Sequence, residues 1–483
     1  MADHRVLIVG AGFSGIGAAM RLRSAGIDDF VVLERATEIG GTWRDNVYPG
    51  CRCDVPSSVY SFSFGPPWDW SRTYGRGSEI QGYLRDCIRR DRLEPHLSLG
   101  EEVRELHWDE EAGHWRVETD RGVRTARVVV MATGALSEPA IPRLAGIRSF
   151  AGRSFHSSRW DAGVALDGAR VAVVGSGASA VQIVPAIAPL VDELHVYQRT
   201  PPWVLPRAER RLSALERGLY ARLPALARAA RRGAYWGREL LFPAFRHPPI
   251  GRVVERLALA HLRSQVADPA LRSALRPDYR IGCKRILLSS DYYPALTRAN
   301  TTLVPHAVRE VTAGGIVAAD GVERPAEVII FATGFHLGAA LPARRIHGRD
   351  GTTLAARWSK GPLALNGTTV ACFPNLVLLL GPHTGLGHNS VLVMLEAQLG
   401  YLLELLDALD RRGLRSLEPR AAAEASYGEW IRRRAERTVF ERGGCRSWYL
   451  DGEGHSLLWP DFSYRFARRL RRLDISQYEA RPA

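Results

Sequence analysis

Two glycine-rich turns lie far apart in this chain, and each one separates a short apolar strand from a helix. The first turn begins at Gly10 and the second at Gly175, and a second apolar strand follows the helix in both cases. A strand, a glycine turn, a helix and a strand form the unit in which α/β proteins bind dinucleotides. The sequence therefore predicts an α/β fold with two Rossmann-like dinucleotide-binding domains. A stretch rich in Leu, Ala and Arg at helical spacing, over residues 212–275, adds a helical insertion.

The first unit is predicted to bind FAD. A strand over residues 6–9 enters the turn, a helix covers 16–24, and a second strand covers 30–33. The spacing Gly-x-Gly-x-x-Gly lets backbone amides approach a pyrophosphate at the helix N-terminus, and an acid after the second strand hydrogen-bonds an unmodified ribose. The residues predicted to hold FAD here are Gly10, Gly12, Phe13, Ser14, Gly15, Glu34 and Arg35.

The second unit is predicted to bind NADPH. Its strands cover residues 171–174 and 193–197, and Ala180 replaces the third glycine, which the motif tolerates. An arginine follows the second strand in place of an acid, and this suits a 2′-phosphate. The predicted NADPH ligands are Gly175, Gly177, Ala178, Ser179, Arg199 and Thr200. An ordinary tight turn is the alternative for either motif, and the strand–turn–helix context disfavours it.

Composition favours a large multidomain enzyme in the cytoplasm. The chain has 483 residues, of which 46% are hydrophobic and 24% are charged. No apolar run is long enough for a membrane span, and the N-terminus enters a strand directly instead of a signal peptide. The formal net charge of +14 comes from arginine scattered along the chain, without a nucleic-acid-binding motif. We therefore expect neither a nucleic-acid nor a membrane partner, and the sequence leaves the oligomeric state open.

The cysteines and histidines predict neither a redox pair nor a metal site. Cys51 and Cys53 fit neither Cys-x-x-Cys nor paired zinc-ligand spacing, which disfavours a flavin disulfide reductase. All six cysteines are expected to be small or buried side chains without a disulfide framework. His383 and His388 lie in a loop without clustered acidic or cysteine partners, so no metal is expected there.

Two apolar strands end in similar small-residue turns, Ala132-Thr133-Gly134 and Ala332-Thr333-Gly334. Such turns after buried strands are expected near a cofactor. They predict an FAD domain that is interrupted by the NADPH domain. The predicted order is the first part of the FAD domain (1–145), the first part of the NADPH domain (146–211), the helical excursion (212–275), the second part of the NADPH domain (276–330), and the second part of the FAD domain with a C-terminal substrate-side segment (331–483).

The segment before the second glycine turn carries a further pattern, Phe-x-Gly-x-x-x-His-x-x-x-Trp-Asp. It resembles the fingerprint of the Baeyer-Villiger monooxygenases. Flavin-containing and N-hydroxylating monooxygenases have similar patterns, and the Trp-Asp ending favours the Baeyer-Villiger group. The resemblance implies that this fingerprint lies on the connection between domains and couples their movement. Its residues are Phe150, Gly152, His156, Trp160 and Asp161.

Other segments extend the resemblance over essentially the whole chain. They include Gly-Gly-Thr-Trp at 40–43, Tyr-Pro-Gly at 48–50 and Ser-Trp-Tyr at 447–449. The last of these is similar to the family's mobile substrate-side loop, with core packing as the alternative. The resemblance implies that Lys284 contacts the 2′-phosphate together with Arg199 and Thr200. It also implies cofactor contacts from Gly41, Thr42, Trp43, Tyr48, Asp54, Thr333, Gly334 and Asn389, with core packing as the alternative for Trp43 and Tyr48.

The activity that this resemblance implies is insertion of one oxygen atom beside a ketone carbonyl to give an ester or lactone. The reaction needs NADPH, O2 and a small-molecule ketone, and it passes through a C4a-peroxyflavin. Arg285 matches the family's active-site arginine, and a fixed guanidinium is suited to stabilise a peroxide and then an oxyanion. Asp54 is implied as the residue that orients Arg285. A surface arginine and an aspartate that caps a turn are the alternatives for this pair.

Two other functions remain open at this point. The first is oxygenation of sulfur or nitrogen by a flavin-containing monooxygenase, which Arg285 and Asp54 disfavour. The second is a redox-binding flavoprotein that holds NADPH and flavin without turnover. Product analysis separates the first from Baeyer-Villiger chemistry, and bleaching of the flavin by NADPH with recovery in air excludes the second.

Overall fold

The structure is a computed structural model that describes residues 2–65, 69–336 and 343–482. The strands are β1 (His4–Val9), β2 (Phe30–Glu34), β3 (Leu97–Leu99), β4 (Val103–Asp109), β5 (His114–Thr119), β6 (Gly122–Met131), β7 (Arg153–His156), β8 (Arg170–Val174), β9 (Glu193–Tyr197), β10 (Val204–Leu205), β11 (Leu287–Leu288), β12 (Thr301–Val304), β13 (Val308–Val311), β14 (Gly315–Ala318), β15 (Glu323–Pro325), β16 (Val328–Phe331), β17 (Ile346–His347), β18 (Leu376–Leu378), β19 (Leu414–Pro419) and β20 (Tyr478–Pro482). The α-helices are α1 (Phe13–Ser24), α2 (Thr42–Asp45), α3 (Gly77–Asp91), α4 (Ala180–Ile187), α5 (Ala214–Arg222), α6 (Pro224–Glu239), α7 (Phe242–Arg246), α8 (Pro248–Gln265), α9 (Pro269–Ala274), α10 (Tyr292–Leu296), α11 (Leu354–Arg357), α12 (Val391–Arg411), α13 (Ala421–Ala435), α14 (Val439–Arg442) and α15 (Ser463–Arg469).

The larger sheet has eight strands and draws on both ends of the chain. Its order is β17-β4-β5-β6-β1-β2-β3, and β18 also pairs with β6. The central strand β1 is parallel to β2 and β6, and its side chains alternate between two apolar clusters. Val6 and Ile8 enter one cluster, while Leu7 and Val9 enter the other. Both faces of β1 are therefore buried, as expected for a parallel strand covered on each side.

The smaller main sheet has five strands, all parallel, in the order β12-β9-β8-β16-β7. Helix α4 covers one face, and the antiparallel strands β13, β14 and β15 cover the other. This sheet contains the second glycine turn, after β8. The strands and helices expected around both glycine turns are present, and the predicted α/β class is confirmed.

The helical insertion, α5 to α9, lies between β10 and β11 and contacts both ends of the chain. Arg231 on α6 donates to the carbonyl oxygens of Ser58 and Ser61, at 2.7 and 2.8 Å. The aromatic rings of α7 are buried against the C-terminal residues Phe440, Tyr449 and Leu458. The insertion therefore packs against segments from both the first and the last part of the chain.

The apolar run over residues 391–406 predicts a helix after the loop that contains His383 and His388. Helix α12 confirms it, but the helix ends at Arg411 instead of residue 406. The additional turn is largely polar, so the apolar pattern of the sequence does not predict it. Leu409 in that turn is fully buried, so packing on one face extends the helix.

Candidate active site

The first glycine turn is built by close backbone packing that leaves one position open. Gly10 has φ +106°, and a Cβ there would lie 2.7 Å from the carbonyl oxygen of Ala132. A Cβ on Gly15 would lie 1.8 Å from the oxygen of Gly10, so both glycines are required by the fold itself. A Cβ on Gly12 would meet only the Cα of Gly41, at 3.8 Å. The space beside Gly12 is therefore free for a pyrophosphate at the start of α1, where no side chain caps the helix.

Glu34 is buried beside this turn and is held by backbone donors. Its Oε2 accepts from the amide of Ala11 at 2.9 Å, and its Oε1 accepts from the amide of Ala36 at 3.0 Å. Arg44 also donates to Oε1, at 2.9 Å. A carboxylate has acceptor capacity beyond these bonds. The Glu34 carboxylate is thus fixed close to the position that the ribose hydroxyls would take if a pyrophosphate bound at Gly12. The neighbouring Arg35 is exposed and pairs with Glu138.

The second glycine turn repeats the same construction. Gly175 has φ +121°, and a Cβ there would lie 2.3 Å from the carbonyl oxygen of Ala332. A Cβ on Gly177 would meet no described atom within 4 Å. The two predicted small-residue turns, after Met131 and Phe331, thus pack directly against the two glycine turns. Both sites have the open backbone that a dinucleotide phosphate requires.

The cations predicted at the second site are close to one another. Arg199 is exposed at the end of β9, and the neighbouring Thr200 accepts a 2.8 Å hydrogen bond from the Ser176 hydroxyl at the glycine turn. Burial lowers the pKa of Lys284, and the positive charge of Arg199 lowers it further. The Lys284 ammonium also lies 4.9 Å from the ring centre of Tyr279. Two repelling cations beside a dinucleotide turn form a suitable site for a phosphate.

Asp54 and Arg285, which are 231 residues apart in sequence, form a bidentate ion pair. The Nε and Nη2 atoms of Arg285 donate to Oδ2 and Oδ1 of Asp54 at 2.5 and 2.6 Å. Burial alone would raise the pKa of Asp54, but the charge and hydrogen bonds of Arg285 outweigh burial and lower it. Burial also works against the charged form of Arg285, and Asp54 reverses this effect and raises its pKa. Both groups therefore remain charged, and the fork fixes the plane of the guanidinium.

The ion pair borders a cavity lined by residues of β10, β11, the helical insertion and the loop before α12. Arg238 from α6 reaches this cavity and donates to the backbone oxygen of Asp54 at 2.6 Å. The loop before α12 contributes His388 and Asn389, and the apolar wall includes Phe245. The structure thus brings Asp54, Arg285 and Asn389 together, of which the resemblance had implied only the pairing of Asp54 with Arg285.

Several residues at this cavity were missed by the sequence analysis. Arg238, Glu239 and His388 lie in or beside it, but they come from the helical excursion and from a loop whose histidines were treated as structural. One signal was available: Arg238 and Glu239 are adjacent charged residues directly before an apolar run. A charged pair at that position has to find partners inside the protein.

The residues expected near the flavin ring occupy different surroundings. Trp43 donates its indole N–H to Tyr60 at 3.2 Å, on the side of the larger sheet. Tyr48 lies in the apolar cluster of the smaller sheet, and its hydroxyl bonds Gln182 on α4 at 3.2 Å. Thr333 donates to the carbonyl oxygen of Ala140 at 2.6 Å. Tyr48 therefore connects the segment that follows the first glycine unit to helix α4 of the smaller sheet.

The fingerprint residues surround β7 at the edge of the smaller sheet. His156 is buried, its Nδ1 contacts the Ser158 hydroxyl at 2.9 Å, and burial lowers its pKa. Asp161 accepts from Arg153 at 2.6 Å, and Trp160 packs edge-on against Phe155. In the register of the sheet His156 pairs with Phe331, directly before the turn that packs on Gly175. Phe150 packs on the opposite face of the sheet, and Gly152 precedes β7.

One prediction about the cysteines is wrong. Cys283 and Cys445 form a disulfide, with their Cα atoms 6.1 Å apart and a sequence separation of 162. Spacing rules detect only cysteines that are neighbours in sequence, so this pair escaped them. Cys372 is exposed, contrary to expectation, whereas Cys53 and Cys87 are buried. The disulfide attaches the segment that carries Arg285 to the C-terminal segment.

The C-terminal Trp448 and Tyr449 differ in their surroundings. Tyr449 is fully buried against Phe440, and Trp448 is half exposed. Burial raises the pKa of the Tyr449 hydroxyl, and the positive charge of Arg285 partly offsets this rise. Tyr449 therefore packs as a core residue close to the ion pair, as the alternative interpretation held.

Replacing Cys445 by serine is expected to lower the stability of the oxidised protein by about 2–4 kcal/mol, because the disulfide closes a long loop in the unfolded chain. Thermal unfolding of both proteins, with and without a thiol reductant, measures the difference. Reductant should remove most of it. An equal Tm for both proteins in oxidising buffer would contradict the pairing.

One group of side chains among the described residues has the spacing of a metal site. Glu105, His107 and His347 lie on β4 and β17, away from the cavity. Both imidazole Nε2 atoms contact the same oxygen of Glu105, at 3.2 and 3.1 Å. These hydrogen bonds account for their proximity.

In the described part of the chain, no helix combines the length and apolar character that crossing a membrane requires.

This chain is similar to known proteins both in sequence and in structure. A family model described as "Pyridine nucleotide-disulphide oxidoreductase" matches residues 7–218. A Baeyer-Villiger monooxygenase from Streptomyces coelicolor is 49% identical over 495 residues, covering 100% of this chain and 95% of the relative. The closed crystal structure of cyclohexanone monooxygenase has a TM-score of 0.90 at 28% identity, with 99% of each chain covered. The crystal structure of OTEMO in complex with FAD and NADP has a TM-score of 0.89 at 27% identity, covering 99% of this chain and 100% of that one.

Proposed function

Because this chain belongs to the Baeyer-Villiger monooxygenases, we propose that the cavity beside Asp54 and Arg285 is where its ketone substrate is oxygenated. The enzyme uses FAD, NADPH and O2 to insert one oxygen atom next to a ketone carbonyl, which gives an ester or lactone. The predicted activity and cofactors are thereby confirmed. The observation that carries the proposed location is the bidentate ion pair at the wall of the cavity.

FAD and NADPH supply the electrons and activate O2 when they are bound. Arg285 is the proposed catalytic residue. Two of its N–H groups go to Asp54. Its other N–H groups are proposed to donate to an oxygen atom that gains negative charge. Because the guanidinium never loses its proton, it offers the same donors throughout the reaction.

Asp54 is the proposed positioning residue for Arg285. An unpaired guanidinium in a closed cavity is costly, and the carboxylate balances it while fixing its plane. Arg238 adds a second positive charge to the cavity and donates to the backbone of Asp54, not to its carboxylate. Among the described residues, Arg285 alone donates hydrogen bonds to both carboxylate oxygens of Asp54.

The two glycine turns are the proposed sites of the two cofactors. Gly12 with Glu34 fits the pyrophosphate and ribose of FAD, and Gly177 with Arg199 and Lys284 fits those of NADPH. We propose Gly41, Thr42, Trp43, Tyr48, Thr333, Gly334 and Asn389 as further cofactor contacts. In sequence, the strands of the larger sheet come before and after those of the smaller sheet. This order supports residues 1–145 and 331–483 as the FAD domain and 146–211 and 276–330 as the NADPH domain.

The fingerprint is proposed to couple movements of the two domains. The supporting observation is that β7 is an edge strand whose last residue, His156, pairs in register with β16, directly before the turn on Gly175. A shift at the domain connection would therefore reach the NADPH site through two hydrogen-bonded strands. His156 is not proposed as a proton carrier, because burial lowers its pKa and favours the neutral ring.

Arg199→Ala is expected to raise the KM for NADPH by about tenfold to a hundredfold, because it removes a charged hydrogen bond to the 2′-phosphate. The KM for NADH, which lacks that phosphate, should change little. Steady-state reduction with both nucleotides measures the ratio. Arg199→Lys is the matched control that keeps the charge, and equal losses for both nucleotides would contradict the assignment.

Product analysis tests the proposed function as a whole. The holoenzyme is incubated with NADPH and a panel of ketones and sulfides, and products are identified by mass spectrometry. Ketones should give esters or lactones in step with NADPH consumption. Sulfoxide formation without an ester from any ketone would favour heteroatom oxygenation instead. We also propose that the enzyme acts in the cytoplasm, as the sequence predicts. The Cys283–Cys445 disulfide is unusual for that compartment, where thiols are kept reduced.

A further inference from the structure

The outward face of helix α6 is apolar. Leu226, Ala229, Gly233 and Trp236 are exposed and follow one another at alternating spacings of three and four residues, and Leu240 at the end of the helix continues the row. This spacing places side chains on one face of a helix. The exposed fractions of Leu226, Trp236 and Leu240 are 43%, 52% and 75%. We call these five residues the apolar face of α6.

The opposite side of α6 attaches the helix to the rest of the protein. Arg231 donates to the carbonyl oxygens of Ser58 and Ser61, and Arg238 donates to the backbone oxygen of Asp54. The helix is therefore fixed on one side, and within it only Glu239 is buried. The apolar face of α6 is thus presented to solvent by a firmly attached helix.

Exposed apolar side chains are concentrated in this part of the protein. Of the seventeen large apolar side chains that are exposed among the described residues, nine belong to the insertion. Leu215 and Leu219 lie one turn apart on α5, which packs against α6 and has no buried residue. The ring of Tyr464, which is 38% exposed, lies 5.9 Å from the ring of Trp236. Such a concentration marks a site of interaction with a protein or a membrane.

Free positive charge flanks the apolar face of α6. The insertion contains eleven arginines and four acidic residues, so its net charge is +7, half of that of the whole chain. Arg228 and Arg232 are exposed on α6, and neither forms an ion pair with a described residue. The two acidic residues of α5 and α6 are both engaged: Glu216 pairs with Arg210, and Glu239 is buried. The surface therefore suits an anionic partner.

We propose that the apolar face of α6 docks on an anionic lipid bilayer, with its apolar side chains in the interface and Arg228 and Arg232 among the headgroups. Tryptophan and tyrosine side chains, such as Trp236 and Tyr464, are suited to that boundary, because each has an apolar body and a polar edge. A second copy of the chain is the alternative occupant. It would bring the same arginines, and neither α5 nor α6 has a free carboxylate to meet them.

This inference changes one expectation from the sequence. The expectation that there is no membrane partner rested on the lack of a long apolar run. A helix that lies on a bilayer needs only one apolar face, and residues spaced three and four apart do not form a continuous run. The inference does not depend on the proposed function.

Vesicle flotation with the holoenzyme tests the docking directly. Vesicles of phosphatidylcholine with about a quarter phosphatidylglycerol should bind the enzyme at about 0.05 M salt, and vesicles of phosphatidylcholine alone should bind it about tenfold more weakly. Raising the salt to about 0.5 M should release much of the bound enzyme, because it screens the headgroup charge. Lack of binding to the anionic vesicles, or equal binding to both kinds, would overturn the proposal.

A triple variant tests the apolar contribution. Leu226→Ser, Trp236→Ser and Leu240→Ser together should reduce partitioning into the anionic vesicles by about tenfold or more. Because these side chains are exposed, flavin content and Tm should stay close to those of the unaltered enzyme. Leu190→Ser is the control, since Leu190 is 48% exposed but follows α4. The same binding by the triple variant and the unaltered enzyme would contradict the assignment of this face.

A double variant tests the contribution of charge. Arg228→Gln with Arg232→Gln should weaken anionic binding by about thirtyfold, since each arginine near such a surface contributes a factor of about five. Arg298→Gln with Arg412→Gln removes the same charge from exposed positions outside the insertion and should have little effect. Equal losses in both double variants would mean that overall charge, and not this surface, attracts the vesicles.

Two further measurements do not depend on the stability of the triple variant. Vesicles with brominated acyl chains quench tryptophans that enter the bilayer, so Trp236→Phe should still bind but lose most of the quenching. Trp448→Phe, at a position of similar exposure outside the insertion, should keep it. Unchanged quenching in Trp236→Phe would overturn the proposal. Sedimentation velocity without lipid tests the second copy: a dimer that dissociates in the triple variant would assign this face to self-association instead.

Discussion

Arg285→Ala should reduce ester formation by about a hundredfold to a thousandfold while NADPH still reduces the flavin. The guanidinium is the group at the cavity that has donors free for a developing oxyanion and a carboxylate that fixes its plane. Its removal also leaves the part-buried carboxylate of Asp54 without its partner, and that negative charge opposes negative charge on the reacting oxygen. Rapid-mixing measurement of anaerobic flavin reduction, followed by product analysis in air, separates the two half-reactions.

Two variants serve as controls for Arg285. Arg280→Ala removes a nearby arginine whose side chain is 43% exposed and pairs with Glu255, and it should oxygenate ketones normally. Arg285→Lys keeps a positive charge but loses the fork to Asp54, so it should recover only part of the activity. Ester formation by Arg285→Ala at nearly the rate of the unaltered enzyme would remove Arg285 from the proposed mechanism.

Gly12→Val is expected to weaken FAD binding by about 1–3 kcal/mol, or about tenfold to a hundredfold in Kd, without unfolding the protein. The nearest described atom to a Cβ at this position is the Cα of Gly41 at 3.8 Å, so the polypeptide itself tolerates a side chain there. A side chain instead fills the space where the pyrophosphate approaches the backbone. Flavin content after gel filtration and Kd from flavin fluorescence measure the effect.

The choice of glycine decides how this experiment is interpreted. Gly15→Val would place a Cβ 1.8 Å from the oxygen of Gly10 and disturb the fold, so loss of FAD there would be ambiguous. Gly400→Ala is the neutral control, because a Cβ at this position within α12 meets no described atom within 4 Å. Full flavin content in Gly12→Val would mean that FAD does not bind at the first turn.

The parts of the fold that sequence predicted best are those determined by short segments. Strand, turn, helix and strand around Gly10 and Gly175 follow from local apolar patterning and glycine spacing, and the structure has each element. The Asp54–Arg285 contact spans 231 residues, and only the family resemblance suggested it. Its bidentate geometry and the direction of both pKa shifts became visible only in the structure.

The parts that sequence missed depend on contacts between distant segments. Cys283 and Cys445 have no spacing signature, because each comes from a different loop. Glu239 and His388 are 149 residues apart, and no local pattern in the sequence pairs them with each other. Tyr48 packs against the smaller sheet because Gln182 on α4 offers a partner for its hydroxyl. Such pairings arise from the packing of the insertion and the loops, which composition and periodicity do not encode.

The crystal structure of the holoenzyme with FAD and NADP+ tests the central claim most directly. The account predicts the isoalloxazine ring beside Arg285, with the free guanidinium N–H groups facing the position of the reacting oxygen and with Asp54 still bound on the other edge. A structure in which the flavin ring lies beyond the reach of Arg285, with the arginine directed to solvent or to a different anion, would contradict it.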